Sequence, residues 1–352
     1  MKSIMYHYVR NKSKLFPNYN ILEKKISSQG WILADGATGT NLFNMGLQSG
    51  DAPEFWNLEF PEKIKKLYRD SIEAGSDLFL TNSFGGNSSR LALHNAANRA
   101  SELSRISAEL GIQVKREFDR DVIMAGSVGP TGELMDPLGP LTFERAVQIF
   151  VEQISGLKEG GVDLVWIETM SAEEEFRAAA EAAKIVDIPW IGTMSFDTSG
   201  RTMMGITSVD FVRMVESLSE QPIAFGANCG VGASDLLRTV LGFHKTGTAL
   251  PIVAKGNAGI PRFVSGKIHY DGTPELMGKY AKMAFNCGAK IIGGCCGTTP
   301  DHIKAMRLSL EGCSHPVMPN LDDICANIGP FSSESDGTDG TKKRTRIRRV
   351  AR

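Results

Sequence analysis

Short apolar runs that break off into small or polar residues recur along the chain, at 31–34, 77–80, 122–125, 164–167, 190–192, 223–227, 251–254 and 290–292. They are continuous rather than alternating, the pattern of parallel strands covered on both faces. Between them lie stretches with helical periodicity. At 61–74, Pro61 suits a helix start, Ile64, Leu67, Tyr68 and Ile72 share one face, and Gly75 stops the helix. At 143–158, Phe143, Ala146, Val147, Phe150, Ile154 and Leu157 form one stripe ahead of Gly160 and Gly161, and 274–287 repeats the arrangement before Gly288. Strand then helix, some eight times over, predicts an α/β fold closed as a (β/α)8 TIM barrel. An open doubly wound sheet is the alternative, because periodicity carries no information about closure.

The barrel pattern spans 31–312. Residues 1–30 read as an N-terminal extension that frays, or as a basic transit peptide given Lys2, Arg10, Lys12 and Lys14; they lack the apolar stretch of a secretory signal. Residues 313–352 read as a C-terminal extension, disordered through the Ser, Asp and Gly stretch 331–341, with a basic end at Lys342, Lys343, Arg344, Arg346, Arg348, Arg349 and Arg352. That end is expected to be a solvated tail, with RNA or an acidic partner as the alternative. At 352 residues, 42% hydrophobic and a formal net charge of -1, the chain can bury a large core and shows no global bias toward nucleic acid or membrane. No apolar run reaches the 18 residues or so of a bilayer span. Six cysteines, two of them adjacent, do not resemble a disulfide framework, so a reducing, cytoplasmic setting is expected.

In a barrel of this kind the active site lies where the strands end. The polar residues just after the apolar runs are Asp35, Asn82, Glu168, Ser195, Asn228 with Cys229, Asn257, and Cys295 with Cys296. Acids, amides and thiols are present and histidine is not, which excludes a hydrolase triad and points to a thiolate metal site. Zinc takes cysteine thiolates in a tetrahedral shell, and a catalytic site leaves one position open. Cys229, Cys295 and Cys296 would fill three positions. Neighbours on a regular strand point to opposite faces, so the adjacent pair can share an ion only if the strand has ended; Gly293, Gly294 and Gly297 supply that freedom. A structural zinc, or plain buried thiols, is the competing explanation, but one ligand far upstream on another strand favours an open, catalytic ion. Cys287, Cys313 and Cys325 are assigned no chemistry.

One zinc with three thiolates carries a net charge of about -1, so a fourth thiolate stays nucleophilic and alkyl transfer to sulfur is favoured over hydrolysis. Asp35 and Glu168, ending the first and fourth strands, could grip an ammonium, while Gly36, Gly39, Thr38 and Thr40 could present donors to a carboxylate. Together these suit an amino-acid thiol. The plain alternative for each acid alone is a helix cap or a surface ion pair.

The chain resembles the homocysteine S-methyltransferase family from about Trp31 to Leu310. The resemblance rests on DGATGT at 35–40, GSDLFLTNSF at 75–84, GPTGE at 129–133, IET at 167–169, GANCG at 226–230, GNAGIP at 256–261 and GGCCGTTP at 293–300. It implies a Zn2+ barrel methyltransferase making methionine, with Cys229, Cys295 and Cys296 as metal ligands and catalytic residues. It further implies that Asp35 and Glu168 hold the homocysteine ammonium, that Gly36 and Thr81 contact the amino acid, and that Asn257 is a resting fourth ligand. A homo-oligomer is compatible with it.

The family offers betaine, sulfonium compounds such as S-methylmethionine, and methylfolate as donors. Methylfolate users resemble longer, multidomain chains, so a small onium donor is expected, betaine first, with a sulfonium or methyl delivery by a separate corrinoid protein as alternatives. A quaternary ammonium calls for an aromatic cage, for which Phe55, Trp56 and Phe84 are candidates. The animal-type betaine enzymes carry tyrosines where this chain has Gly85 and Thr169, so their pocket does not transfer, and Trp56 could instead pack on the helix beginning at Pro61.

Overall fold

Each apolar run is a strand in the computed structural model, which describes residues 17–260, 262–264, 267–313 and 315–338. In chain order the strands are β1 (Ile32–Leu33), β2 (Leu78–Leu80), β3 (Ile123–Val128), β4 (Leu164–Met170), β5 (Trp190–Met194), β6 (Ala224–Cys229), β7 (Ile252–Gly256) and β8 (Ala289–Gly294). They form one parallel sheet in the order β1, β8, β7, β6, β5, β4, β3, β2. A parallel bridge between Ala34 and Leu78, and the Asp77 amide donating to the Leu33 carbonyl at 2.7 Å, join its two ends. The sheet is therefore a barrel and not an open doubly wound array. The expected helices are present as Pro61–Glu73, Phe143–Glu159 and Pro274–Asn286, the last two started by Thr142 and Thr273 side chains that accept backbone N–H groups.

The apolar runs are continuous because both strand faces are buried. Ile32, Ala34, Leu78, Leu80, Ile123, Ala125, Leu164, Trp166, Ile191, Ala224, Val253 and Ile291 alternate along their strands and fill the barrel interior. The residues between them, including Leu33, Phe79, Met124, Val165, Trp190 and Phe225, pack under the surrounding helices. Five strands run past their apolar stretch. Ser127, Glu168, Thr193, Asn228 and Lys255 each stand two residues after an inward position, so they also face inward and make a buried polar layer at the carboxyl end.

The opposite end is closed by a helix, Pro17–Gln29, drawn from the segment expected to fray. Leu22, 2% exposed, plugs the interior with Ile21 and Ile26 beside it, a burial that contributes about 1.5–3 kcal/mol for a leucine. Lys25 of this helix meets the buried Asp77 at 3.0 Å, and Asp77 also gathers Arg307 at 3.2 Å and Arg120 at 3.7 Å.

The C-terminal extension is likewise organised as far as 338. Helix Leu321–Ile328 buries Ile324, the Ser332 amide donates to Asp235 at 3.1 Å, and Arg238 donates to the Ser333 carbonyl at 2.8 Å with Phe331 stacked on its guanidinium. The disorder expected for 331–341 therefore does not extend over 331–338. A buried arginine and aspartate on the barrel's own helix, Ala233–Lys245, give this polar segment its partners. The basic residues 342–352, and Lys2, Arg10, Lys12 and Lys14, lie outside the described residues. Among the described residues no helix is long and apolar enough to cross a membrane.

Candidate active site and metal centre

β8 ends at Gly294, and the chain turns immediately. The Cys295 carbonyl accepts from both the amide and the hydroxyl of Thr298, at 3.1 and 2.6 Å, while Gly297 has φ +80°. This turn removes the alternation that would separate Cys295 from Cys296. Cys229 solves the matching problem on β6. Asn228 faces inward, so a regular strand would point Cys229 out toward the helices; Cys229 instead takes φ +61°, a left-handed conformation costly for a residue with a Cβ. All three Sγ atoms lie within 4.8 Å of one another, with Cys229 and Cys296 at 3.9 Å.

Such a cluster of protonated thiols has no strong hydrogen bonds to offer itself. For Cys229, a hydrogen bond with Cys295 lowers the pKa, but the one with Cys296 and burial raise it, and the net result is a thiol pushed up to about 12. Cys296 is likewise pushed up to about 12: its contact with Cys229 lowers the value, and those with Cys295, together with burial, outweigh it. Cys295 is raised as well, first through its contact with Cys229. Removing protons from all three needs a cation between them. The sulfur geometry fits one: tetrahedral thiolate bonds of about 2.3 Å place sulfurs roughly 3.8 Å apart. Asn257 adjoins Cys229; its side-chain oxygen Oδ1 is buried without a hydrogen-bond partner, while its Nδ2 donates to the Gly230 carbonyl at 2.9 Å. The three thiols can hold a metal ion.

The acids sit below. Glu168, buried, accepts from Ser127 Oγ at 2.5 Å. Burial raises its pKa, opposed by the positive Lys255 and the Ser127 hydroxyl. Asp35 accepts the Leu80 amide on Oδ2 at 2.7 Å, and on Oδ1 it meets the Lys255 ammonium at 2.6 Å. Lys255 is itself 3% exposed; burial works against its charge, but Asp35, Glu168 and Cys295 outweigh that and raise its pKa. The residue was not among the sequence candidates. Its signal was available, since it stands two positions after the inward Val253.

Two other sequence candidates are tied into the framework. Gly36 is in contact with Thr298, where an added Cβ would come 2.7 Å from Oγ1. Thr81 Oγ1 shares a hydrogen bond of 2.7 Å with Ser83 and accepts the Ser127 amide at 3.1 Å, so it supports the residue that holds Glu168. Asn82 anchors the Pro53 carbonyl and Asn57. The aromatic candidates are dispersed. Trp56 is buried against Phe60 and already has Lys63 Nζ 4.4 Å above its ring, and Phe55 packs edge-on to His94. Phe84 is half-buried beside Gly129. An aromatic not singled out from sequence, Tyr270, adjoins Cys296.

A (β/α)8 barrel with three thiols gathered at the ends of two strands, able to hold a metal ion, and an acid pair beneath them defines a barrel with a candidate thiol-metal site. Within that class the chain belongs to the homocysteine S-methyltransferase family, whose model matches residues 32–310. It is a methyltransferase. Its structure is similar to that of the metallated form of the homocysteine methyltransferase MmuM from Escherichia coli, at 24% identity and TM-score 0.69, covering 82% of this chain and 99% of that one. The oxidized form of the same protein is 26% identical with TM-score 0.67, covering 82% and 98%.

Proposed function

We propose that this chain transfers a methyl group from a small onium donor, betaine first, to the thiol of homocysteine, giving methionine, with one zinc ion held by Cys229, Cys295 and Cys296. The single observation behind the reading is the convergence of three sulfurs, from two separate strands, within 4.8 Å above a buried acid pair. Zinc, when bound, would keep an acceptor thiol ionised at neutral pH while the three thiolates preserve its nucleophilicity. Asn257 would supply a fourth ligand to the resting site.

The chain's own residues provide the rest. Glu168 and Asp35 line the proposed seat of the acceptor's ammonium, and the backbone around Gly36 is the proposed seat of its carboxylate. The sulfur then attacks the donor methyl carbon, and the carbon–nitrogen bond breaks with its electron pair passing to nitrogen, leaving a tertiary amine. Anion and cation disappear together in this step, so a site that excludes water favours it.

A sulfonium donor is the second reading. It is favoured by the placement of Trp56, whose ring face is already occupied by Lys63, and of Phe55, packed on the Leu91 and Leu103 cluster. Purified protein supplied with zinc, homocysteine and either betaine or S-methylmethionine decides between them. Methionine formation that survives in a Cys296→Ala variant lacking zinc would sink both. A reducing compartment accords with the six free cysteines.

A further inference from the structure

Two carboxylates and one ammonium are already present in the pocket that the acceptor's ammonium is to enter. Lys255 starts on β7 and reaches Asp35, just past β1, by crossing over β8, the strand that lies between them. The crossing point is Gly293, paired in register with Lys255, where an added Cβ would stand 3.0 Å from Lys255 Cγ and 2.9 Å from the Ala34 Cβ. Below, the Trp166 ring lies 5.3 Å from Nζ, and its own indole N–H is fixed to Thr193 Oγ1 at 3.0 Å. The ammonium is thus fastened from one side by Asp35 and supported from the other by a ring that cannot turn away.

The consequence falls on the acids. Both Asp35 oxygens have donors from the protein, the Lys255 ammonium at 2.6 Å and the Leu80 amide at 2.7 Å. Glu168 has a donor on Oε1, from Ser127, and among the described residues none on Oε2. Two carboxyl groups face one ammonium here, and among the described residues the ammonium is in ion-pair contact with Asp35 and not with Glu168.

We propose that Lys255 is a specificity-determining positioning residue: as the permanent counterion of Asp35 it removes that acid from direct contact with the acceptor's ammonium, leaving Glu168 Oε2 as the ammonium's charge partner. Asp35 and Lys255 then act as one neutral unit. The pocket admits a thiol bearing one cation and discriminates against a thiol without one. This assignment rests on the homocysteine reading above.

The test is equilibrium binding, which needs no methyl donor and so stays informative if the donor is misidentified or no methionine forms. Zinc-loaded wild-type protein and the variants Lys255→Met, Lys255→Met with Asp35→Asn, and Glu168→Gln are titrated calorimetrically with homocysteine and with 4-mercaptobutyrate, the same thiol without its amino group. Zinc content is measured alongside. Wild type is expected to prefer homocysteine. Glu168→Gln is expected to abolish the preference, with homocysteine Kd rising on the order of 100-fold, as when one member of a buried charge pair is removed. Lys255→Met leaves Asp35 unpaired and is expected to change homocysteine affinity, whereas the double variant, neutral and similar in shape, is expected to restore the wild-type preference at unchanged zinc content. The proposal is overturned if the double variant loses the preference, if Glu168→Gln keeps it, or if wild type binds the two thiols equally.

Discussion

Asn228 holds Thr169 by both ends of its amide, accepting the Thr169 N–H on Oδ1 at 2.8 Å and donating from Nδ2 to Thr169 Oγ1 at 2.7 Å. The pair ties the end of β4 to the end of β6 across β5, whose Thr193 hydroxyl donates to the same Asn228 oxygen at 2.7 Å. Thr169 and Cys229 both have φ +61°, and each directly follows or adjoins a functional group, Glu168 on one strand and the Asn228 clamp on the other. Two residues in an unfavourable backbone region are thereby stabilised through one side chain.

Replacing Asn228 with Ala should therefore loosen both strand ends. Leaving the buried Thr169 and Thr193 groups unpaired is expected to cost about 1–3 kcal/mol of stability, read from denaturant unfolding of the metal-free protein. Zinc affinity, measured against a competing chelator, should weaken by roughly 10–100-fold because the clamp orients Cys229 without being a ligand. Unchanged zinc affinity would count against the clamp.

Metal binding should release protons and strengthen with rising pH. In the metal-free site the Cys229 and Cys296 thiols are pushed up to about 12 and Cys295 is raised too, so all three must lose protons to coordinate. Calorimetry in buffers of differing ionisation enthalpy should report close to three protons released per zinc. A value near zero would mean that the thiols are already ionised or are not the ligands.

The cysteines should divide sharply in their effects. Cys295→Ser is expected to lose zinc and activity together. Cys287, fully buried in the outer core, should tolerate Cys287→Ser with full zinc stoichiometry but a stability loss of about 1–3 kcal/mol for burying a hydroxyl without a partner. Metal analysis and thermal unfolding of the two variants separate these outcomes.

Glu168→Gln should make the metal-free protein more stable at neutral pH while it impairs acceptor binding. Burial raises the Glu168 pKa above its ordinary value of 4.5, so the folded state holds this proton more tightly than the unfolded chain does. Stability then falls as pH rises from the ordinary glutamate value through the raised one, and the carboxylate opposes folding above it. The advantage of the glutamine variant should appear at pH 7 and shrink toward pH 4 or so. An equal difference at both values would contradict the burial argument.

At the closed end, Asp77→Asn should lower stability without altering catalysis. It removes the anion shared by Lys25, Arg307 and Arg120 and weakens the bond that Asp77 Oδ2 accepts from the Leu33 amide at 3.1 Å. The three cations are partly exposed, so the loss should be nearer 2 than 5 kcal/mol. Equal kcat/KM at 25 °C beside a reduced Tm would bear this out.

The strands, the helices and the three cysteines were legible from local pattern, because burial on two faces writes continuous apolar runs and because a thiolate site needs a rare residue type at strand ends. The limits of the strands were not. Ser127, Thr193 and Lys255 look like the end of an apolar run, yet their side chains continue the inward alternation and meet Glu168, Asn228 and Asp35 from other strands. Residues 17–29 gave a helix where fraying was expected, since the apolar surface that holds Leu22 is the floor of a closed barrel and exists only after closure.

Residue types and their order along the chain thus determined the repeated strand–helix class, the family and the metal-ligand candidates, all of which depend on chemistry carried within short segments, and left closure of the sheet to the tertiary structure. The tertiary structure alone decided that Asp35 is paired with Lys255, 220 positions away, while Glu168 has, among the described residues, a hydrogen-bond donor on one oxygen only. That division depends on which buried charges come within a few ångströms of each other, and the distance between residues in a folded chain is not a property of their separation in sequence.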